Sequence, residues 1–486
     1  MNYLLILKLI GNVFKIEAAF MIVPLAVSFI YGESVTNKTS FIWSILILVA
    51  TGFALSLIKP KNKNFVPRDA FAATSLTWIF CSLLGALPFY FSGCFKSFTD
   101  CLFESVSGFT TTGATILAEI ESLPKSILFW RSFTQWIGGM GILMFMVAVM
   151  PSMNASSVNL MRAEITGITP GKIVPKVRET AKIMYLIYFT LTVLLIIILT
   201  FTGLPVYDAF INGFSTAGTG GFSNMNASVG AYNNIAAEIV ITVFMFLFGI
   251  SFALYFYAIK GNLKSVFKDE ELRFYGIIVV VAVVLITINI TGLYQNIFEA
   301  LRHSSFQVVS VISTTAFTTA DYNMWPLLSR VIILILMFFG CCAGSTGGGV
   351  KLVRILVLIK TARAEIKKII QPRNVKVITL NGKKIEDYAV SQTFVFFTVY
   401  FMIFLAATII ISIENKDITT TLASVITTLG NVGPALEEIG PVGNFGGFSV
   451  LSKLVLSVCM IIGRLEFFPM LILLRPSTWI MGKSGN

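Results

Sequence analysis

The sequence predicts an all-α integral membrane fold, in which four pseudo-repeated helix–loop–helix units surround one axis and two extra transmembrane helices precede them. Three observations predict it. The 486-residue chain is 56% hydrophobic and only 12% charged, where a soluble domain carries roughly 25% charged residues. Apolar runs of the roughly 20 residues needed to cross about 30 Å of hydrocarbon recur along it. Between them stand four short polar stretches that read alike: 103–115 (FESVSGFTTTGAT), 211–223 (INGFSTAGTGGFS), 310–322 (SVISTTAFTTADY) and 423–435 (ASVITTLGNVGPA).

Taken in order, the runs 3–31 and 41–58 are the two extra helices. No small-residue cleavage site follows the first, so it reads as a retained helix and not a signal peptide. The repeated units then span about 70–150, 183–260, 274–358 and 388–473, each an apolar run, a polar stretch and a second apolar run. The paired runs are 70–92 and 127–150, 183–203 and 233–257, 274–293 and 327–343, and 388–412 and 449–473. This divides the chain into 1–69 (extra helices and linker), 70–182, 183–273, 274–387 and 388–486, with basic linkers closing the first three units. Each polar stretch starts with an apolar segment of about ten residues, too short to span and suited to a half-membrane helix.

Net charge is +12, but the cations do not form a phosphate-binding face, so nucleic acid is not an expected partner. They cluster in particular, alternate loops. Lys59, Lys61, Lys63 and Arg68 fall in one; Arg162, Lys172, Lys176, Arg178 and Lys182 in the next; Lys260, Lys264 and Lys268 follow, and a dense group runs from Lys351 to Lys384. The loops with the polar repeats instead carry Asp100, Glu104, Glu119, Glu121 and Asp208. By the positive-inside rule the basic loops are cytoplasmic, as are both termini, and the repeats enter from outside.

Aligned without a gap, the polar stretches place Thr111-Thr112-Gly113 over Thr219-Gly220-Gly221, Thr318-Thr319-Ala320 and Asn431-Val432-Gly433. Asp100 and Asp208, each thirteen residues before Gly113 and Gly221, support the register of the first two. Irregular backbone at membrane depth is tolerated where it lines a watery cavity or is buried in protein, so four such loops around one axis imply an ion pore. A filter must replace an ion's water with oxygens, and backbone carbonyls serve where glycine permits unusual dihedrals. Gly113, Gly220, Gly221 and Gly433 supply that freedom; Thr111, Thr219 and Thr318 add hydroxyls. Close helix packing by small residues explains one such stretch, but four in register favour the pore.

Enzymatic chemistry is not expected. There is no Ser/His/Asp set, no metal-ligand spacing among the six cysteines, and one histidine, His303. Cys94 and Cys101, both on the predicted outer side, either pair or act as small apolar filler. The run Gly344-Ser345-Thr346-Gly347-Gly348-Gly349 should break its helix, since each interior glycine costs roughly 1 kcal/mol relative to alanine. Its likeness to a phosphate loop fails on spacing and on the absence of a strand–helix context. Arg464 lies within the last apolar run, where an unpaired cation costs from about 3 kcal/mol upward. It needs water or a partner, Glu466 being one candidate.

SGFTTTGAT, QWIGGMGI (Gln135 to Ile142), the run MRAEITG…P…K…ETAK…Y from Met161 to Tyr185, Phe317-Thr-Thr-Ala-Asp-Tyr322, CAGSTGGGVK (Cys342 to Lys351), LGNVGPAL (Leu429 to Leu436) and GRLE (Gly463 to Glu466) carry a resemblance. Along nearly its whole length the chain resembles the TrkH/TrkG branch of the Trk/Ktr/HKT superfamily of potassium transporters, and the extra helix pair favours that branch. The resemblance implies potassium uptake at a plasma (inner) membrane, K⁺ as transported ion with no other cofactor, a homodimer with one pore per protomer, and a TrkA-type cytoplasmic ring of nucleotide-binding regulatory subunits. It maps filter glycines to Gly113, Gly221 and Gly433, with Ala320 in the third loop and Ala316 as the competing register. It makes the glycine run, through Lys351, an intramembrane gate below the filter, and turns Arg464 toward the permeation path as a positive barrier. The linker from Lys351 to Lys384, helical and then broken at Pro372, is either a solvated, headgroup-facing connection or also a transmitter of regulator movement. Channel-like conduction is favoured over ion coupling, because no buried carboxylate or histidine relay is evident. A sodium-selective or sodium/proton-coupled carrier is the alternative, kept open by Ala320.

Overall fold

A computed structural model describes residues 1–60, 67–149, 177–371 and 377–479. The segment 161–176 of the Met161 motif, the linker cations Lys61, Lys63, Arg162, Lys172 and Lys176, and the expected break at Pro372 lie outside the described residues.

Helices α1 (Tyr3–Ile30) and α2 (Val35–Ser56) form the leading pair, started by side-chain caps from Asn2 and Ser34. Such caps satisfy N–H groups that a helix start leaves without partners. The first unit follows with α3 (Pro67–Gly85), the short α4 (Leu87–Ser92), the half-helix α5 (Phe98–Phe109) and α6 (Lys125–Val149). The second has α7 (Val177–Phe201), half-helix α8 (Val206–Gly218), and α9 (Ile235–Phe248) continued by α10 (Phe252–Ile259). After α11 (Leu263–Lys268), the third unit has α12 (Glu270–Ile290), half-helix α13 (Ile297–Ile312), α14 (Leu327–Phe338) and α15 (Leu352–Ile370). A hairpin of β1 (Thr379–Leu380) and β2 (Lys383–Lys384) leads to the fourth: α16 (Asp387–Ile411), half-helix α17 (Ile418–Leu429), α18 (Val450–Arg464) and α19 (Phe468–Leu474), with α20 (Pro476–Trp479) at the end.

Six helical stretches of the described residues are long and apolar enough to cross a membrane: 3–30, 35–56, 68–92, 182–201, 270–293 and 387–414. They are the leading pair and the first helix of each unit. The second helices of the last three units differ from the expected straight spans, whereas α6 of the first is continuous. Run 233–257 bends by 93° between α9 and α10. Run 327–343 stops as a 12-residue helix at Phe338, and run 449–473 breaks after Arg464, where Glu466 and Phe467 take positive φ. The cause is local in each case: Gly249 at the bend, the glycine run after α14, and a buried arginine followed by Pro469 at the start of α19.

The half-helices have 12, 13, 16 and 12 residues, about 18–24 Å at 1.5 Å per residue. They therefore enter the molecule without crossing the hydrocarbon. Ser97, Asn296 and Asp417 cap three of them, accepting from Asp100, Glu299 and Thr420 N–H, and Pro205 precedes the other. Burial on nearly all sides follows from their sequence, which puts Ser, Thr and Gly where neighbouring helices approach. All six cysteine thiols are free, Cys94 and Cys101 included.

Candidate functional site

The four half-helices end in the same way. Thr112 N donates to Ser107 O (2.9 Å), Gly220 to Ser215 (2.9 Å), Thr315 to Ser310 (2.9 Å) and Val432 to Thr427 (2.8 Å). This five-residue step back requires a left-handed residue just before it. Thr111, Thr219, Thr314 and Asn431 are those residues, with φ of 55°, 55°, 58° and 52°. Two positions later φ is positive again, at Gly113 (79°), Gly221 (76°), Ala316 (56°) and Gly433 (110°). Eight such backbones in one place are strained for any residue but glycine, and the surrounding packing must hold them.

The third loop therefore falls in the register Thr314-Thr315-Ala316 and not in Thr318-Thr319-Ala320. The sequence carries Thr-Thr-Ala twice, four residues apart, and only the helix end at Ile312 distinguishes them. Thr318, Thr319 and Ala320 belong to the outgoing chain. Thr318 O accepts from Gly230 N (3.0 Å) and Thr318 N donates to Ser228 Oγ (3.2 Å), while Thr319 Oγ1 lies 3.2 Å from His303 Nδ1.

The loops interlock in chain order. A Cβ on Gly113 would lie 2.0 Å from Gly220 O, one on Gly221 1.9 Å from Thr315 O, and one on Gly433 2.5 Å from Thr112 O. The middle residue's carbonyl thus lies against the third residue of the adjacent loop, and the fourth loop closes back onto the first. The carbonyls of Thr111, Gly113, Thr219, Gly221, Thr314, Ala316 and Asn431 accept no hydrogen bond among the described residues. They are oxygens without protein donors, at helix C-termini whose dipole is negative.

Side chains from neighbouring helices, and Asn431 from the fourth stretch itself, hold this ring. Gln135, on α6, donates from Nε2 to Gly220 O (2.7 Å) and accepts from Phe222 N at Oε1 (3.0 Å). Asn431 Nδ2 donates to Thr112 Oγ1 (3.0 Å) and Met460 O (2.8 Å). Glu104 and Arg131 form a wholly buried pair at 2.7 Å. Glu104 also accepts from Thr115 Oγ1 and Ile116 N, and Arg131 reaches Ser223 O (3.2 Å). First and second outgoing chains are so bound to one ion pair. Gln135 was visible inside QWIGGMGI, and Glu104 lies about two turns before Thr111; only their separation in sequence hid their partners.

Below the ring the chain between α14 and α15 folds into a loop whose ends meet at Phe339 and Val350, Gly340 N donating to Val350 O (2.9 Å). Two consecutive peptide groups, 346–347 and 347–348, are held from outside it. Thr346 O accepts from Arg464 Nη1 (2.8 Å), Gly347 O from Lys351 Nζ, and Gly348 N donates to Thr314 Oγ1 (2.7 Å). Gly348 touches the fourth filter too, since a Cβ there would lie 2.7 Å from the Asn431 Cβ. Gly344, Ser345 and Gly349 complete the run; Gly344 O accepts from Phe252 N (3.0 Å) at the start of α10.

Arg464 is 5% exposed. Its other contact is Nη2 to Gly138 O (2.9 Å), so carbonyls take its hydrogens. Glu466 pairs instead with Arg354, which stacks over Phe396. Among the described residues the guanidinium charge thus has no hydrogen-bonded carboxylate, and it stands close beneath the loop and the ring. Buried carboxylates do occur, contrary to expectation: besides Glu104 and Glu271, Glu17 in mid-α1 is 4% exposed, with the Cys81 thiol beside it. Among the described residues no group of His, Cys, Asp or Glu could hold a metal ion.

Comparison with known proteins agrees with this geometry. Residues 36–483 match the family described as TrkH, a cation transport protein. The chain is 35% identical to "Trk system potassium uptake protein TrkH" of Escherichia coli (strain K12), over 99% of this chain and 100% of that one. It is 30% identical to "Trk system potassium uptake protein TrkG" of the same strain, over 94% and 95%. The solved structure of the potassium transporter TrkH from Vibrio parahaemolyticus superposes with a TM-score of 0.89 at 32% identity, covering 99% of this chain and 100% of that one. Helix order, the fourfold repeated turn and sequence thus place this multi-pass membrane protein, a transporter and not an enzyme, in the TrkH/TrkG branch of the Trk/Ktr/HKT superfamily.

Proposed function

We propose that the chain takes up K⁺ across a prokaryotic inner membrane through the ring formed by Thr111-Thr112-Gly113, Thr219-Gly220-Gly221, Thr314-Thr315-Ala316 and Asn431-Val432-Gly433. The observation that carries this is the fourfold recurrence of one strained backbone that leaves carbonyls without protein donors. A dehydrating cation is the partner such oxygens fit. With the repeats outside and both termini in the cytoplasm, the membrane potential drives entry at roughly 2.3 kcal/mol per charge per 100 mV. The loop from Gly344 to Gly349, with Lys351 and Arg464, is the gate: it lies directly under the third and fourth filter segments, and two cations bond its carbonyls. A homodimer with one pore per protomer and a TrkA-type nucleotide-binding ring at the basic linkers complete this reading, on the family resemblance alone.

Radiolabelled rubidium flux into liposomes, competed separately by K⁺ and Na⁺, tests the filter. K⁺ should compete far better than Na⁺, and Gly113→Ser, whose Cβ would strike Gly220 O, should abolish that preference. Equal competition in the unaltered chain would refute a potassium filter. A second reading, a sodium-selective or sodium/proton-coupled carrier, rests on Ala316, where the other loops have glycine, and on Glu17. Uptake that followed the proton gradient at fixed voltage, and lost that dependence in Glu17→Gln, would favour it.

A further inference from the structure

The loop between α14 and α15 is held not only from the pore side but also from the opposite end of the third unit. Glu271, in the first turn of α12, is 8% exposed. Its Oε1 accepts from Ala343 N (2.8 Å) and from Val353 N (2.9 Å). These N–H groups stand on either side of the glycine run, one entering it and one leaving. Val353 is the second residue of α15, whose N-terminal N–H groups have no partner within the helix, and Lys351 before it provides no side-chain cap. Glu271 therefore caps α15 from another helix and fastens both ends of the loop with one oxygen.

Its two neighbours face elsewhere. Asp269 Oδ2 accepts from Asn381 Nδ2 (2.7 Å), Glu270 N donates to Asn381 Oδ1 (2.8 Å) and Glu270 Oε1 accepts from Asn381 N (2.9 Å). Asn381 is the tip of the β1–β2 hairpin, in left-handed conformation at φ 51°. Lys360 of α15 bonds Glu270 and also Thr379 O (2.7 Å). Apolar contacts follow the same path, because Ala343, Val353 and Val357 pack with Leu380 and Ile385 of the hairpin in one small cluster.

We propose that Asp269, Glu270 and Glu271 form a relay that ties the hairpin 378–385 to the intramembrane loop, with Glu271 the residue that positions the loop. A hairpin on the linker side can be displaced by a regulatory partner. Three adjacent carboxylates at the start of one helix convert that displacement into a shift of Ala343 and Val353, and so of the peptides between them. The inference rests on reading the loop as the gate and adds the residues that would set it.

Rubidium flux through the full chain in liposomes tests this with four variants. Glu271→Leu removes the shared acceptor and should raise basal flux on the order of tenfold, the scale of a lost charge-assisted hydrogen bond. Glu271→Gln keeps an acceptor oxygen and should stay near the unaltered protein. Asn381→Ala should raise flux less, and should add nothing in combination with Glu271→Leu. Competition by K⁺ over Na⁺ should be the same in all four, which a general loosening of the fold would not preserve. The relay is overturned if Glu271→Leu and Glu271→Gln behave alike, if the Asn381 effect is additive, or if flux changes only together with selectivity. Should Glu271→Leu fail to fold, the exposed Asn381→Ala decides alone: raised flux supports the relay and unchanged flux overturns it. Arg464→Ala separates the two levels. If it raises flux while the Glu271 variants do not, the relay alone fails; if neither does, the gate reading fails with it.

Discussion

The filter and the loop beneath it solve the problem of irregular backbone inside a membrane in opposite ways. The filter is made four times, with the same five-residue hydrogen bond and the same two left-handed positions in each copy, and most of its constraint comes from its own repeats pressing on one another. The loop from Phe339 to Val350 exists once. It is fixed by side chains from elsewhere: Arg464 from the fourth unit, Thr314 from the third filter, Glu271 from α12. A ring of mutually packed strained backbones is stiff, since interiors pack densely and transmit small displacements. A single loop pinned by a few polar contacts is released when one of them is lost. The difference teaches where selection between ions and where opening should reside.

Substitutions can break that division or sharpen it. The largest effect is expected from Arg131→Met, which leaves the Glu104 carboxylate buried and unpaired behind the filter; loss of one partner of a buried pair costs about 3–5 kcal/mol. Thermal unfolding in detergent should show it, with loss of flux. Next comes Arg464→Ala. It removes two hydrogen bonds to carbonyls and one of the two cations at the loop, and should raise flux on the order of tenfold while leaving the preference for K⁺ over Na⁺ unchanged. A loss of preference instead would mean that filter and loop are one mechanical unit. The smallest is Ala316→Gly. It relieves a left-handed alanine at about 1 kcal/mol and makes the third loop like its neighbours, so the K⁺ to Na⁺ competition ratio should rise a few-fold.

What the sequence discloses follows the same division. The membrane class and the glycine-bearing turns of the first, second and fourth polar stretches were legible, because each rests on residues adjacent in the chain. The third segment was not, since Thr314-Thr315-Ala316 and Thr318-Thr319-Ala320 are the same tripeptide, and the helix end that chooses between them is a matter of burial. The acid marker thirteen residues before the third position would have been at His303, which is no acid. The breaks in the second helices were legible at the glycine run but not at Gly249–Ser251 or after Arg464, where apolar composition continues through a bend. Arg464 was recognisable as needing a partner; that Glu466 would turn to Arg354 and leave it to two carbonyls depends on contacts between separate units. Gln135, Asn431 and Glu271 act on groups far away in sequence, and no spacing announces them.

The closure of the fourth loop onto the first has a consequence for how the protein is made. Asn431 reaches Thr112 across 319 residues, and Lys453 of α18 pairs with Asp100 across 353. Gly138 O likewise waits for Arg464. While the ribosome is still extending the chain, three inserted units form an open arc whose last side faces lipid, without the residues that would bound a water-filled passage. On the pore reading, the permeation path is complete only once the final unit docks, so loss of the C-terminal fifth should leave an incomplete wall instead of a weaker transporter.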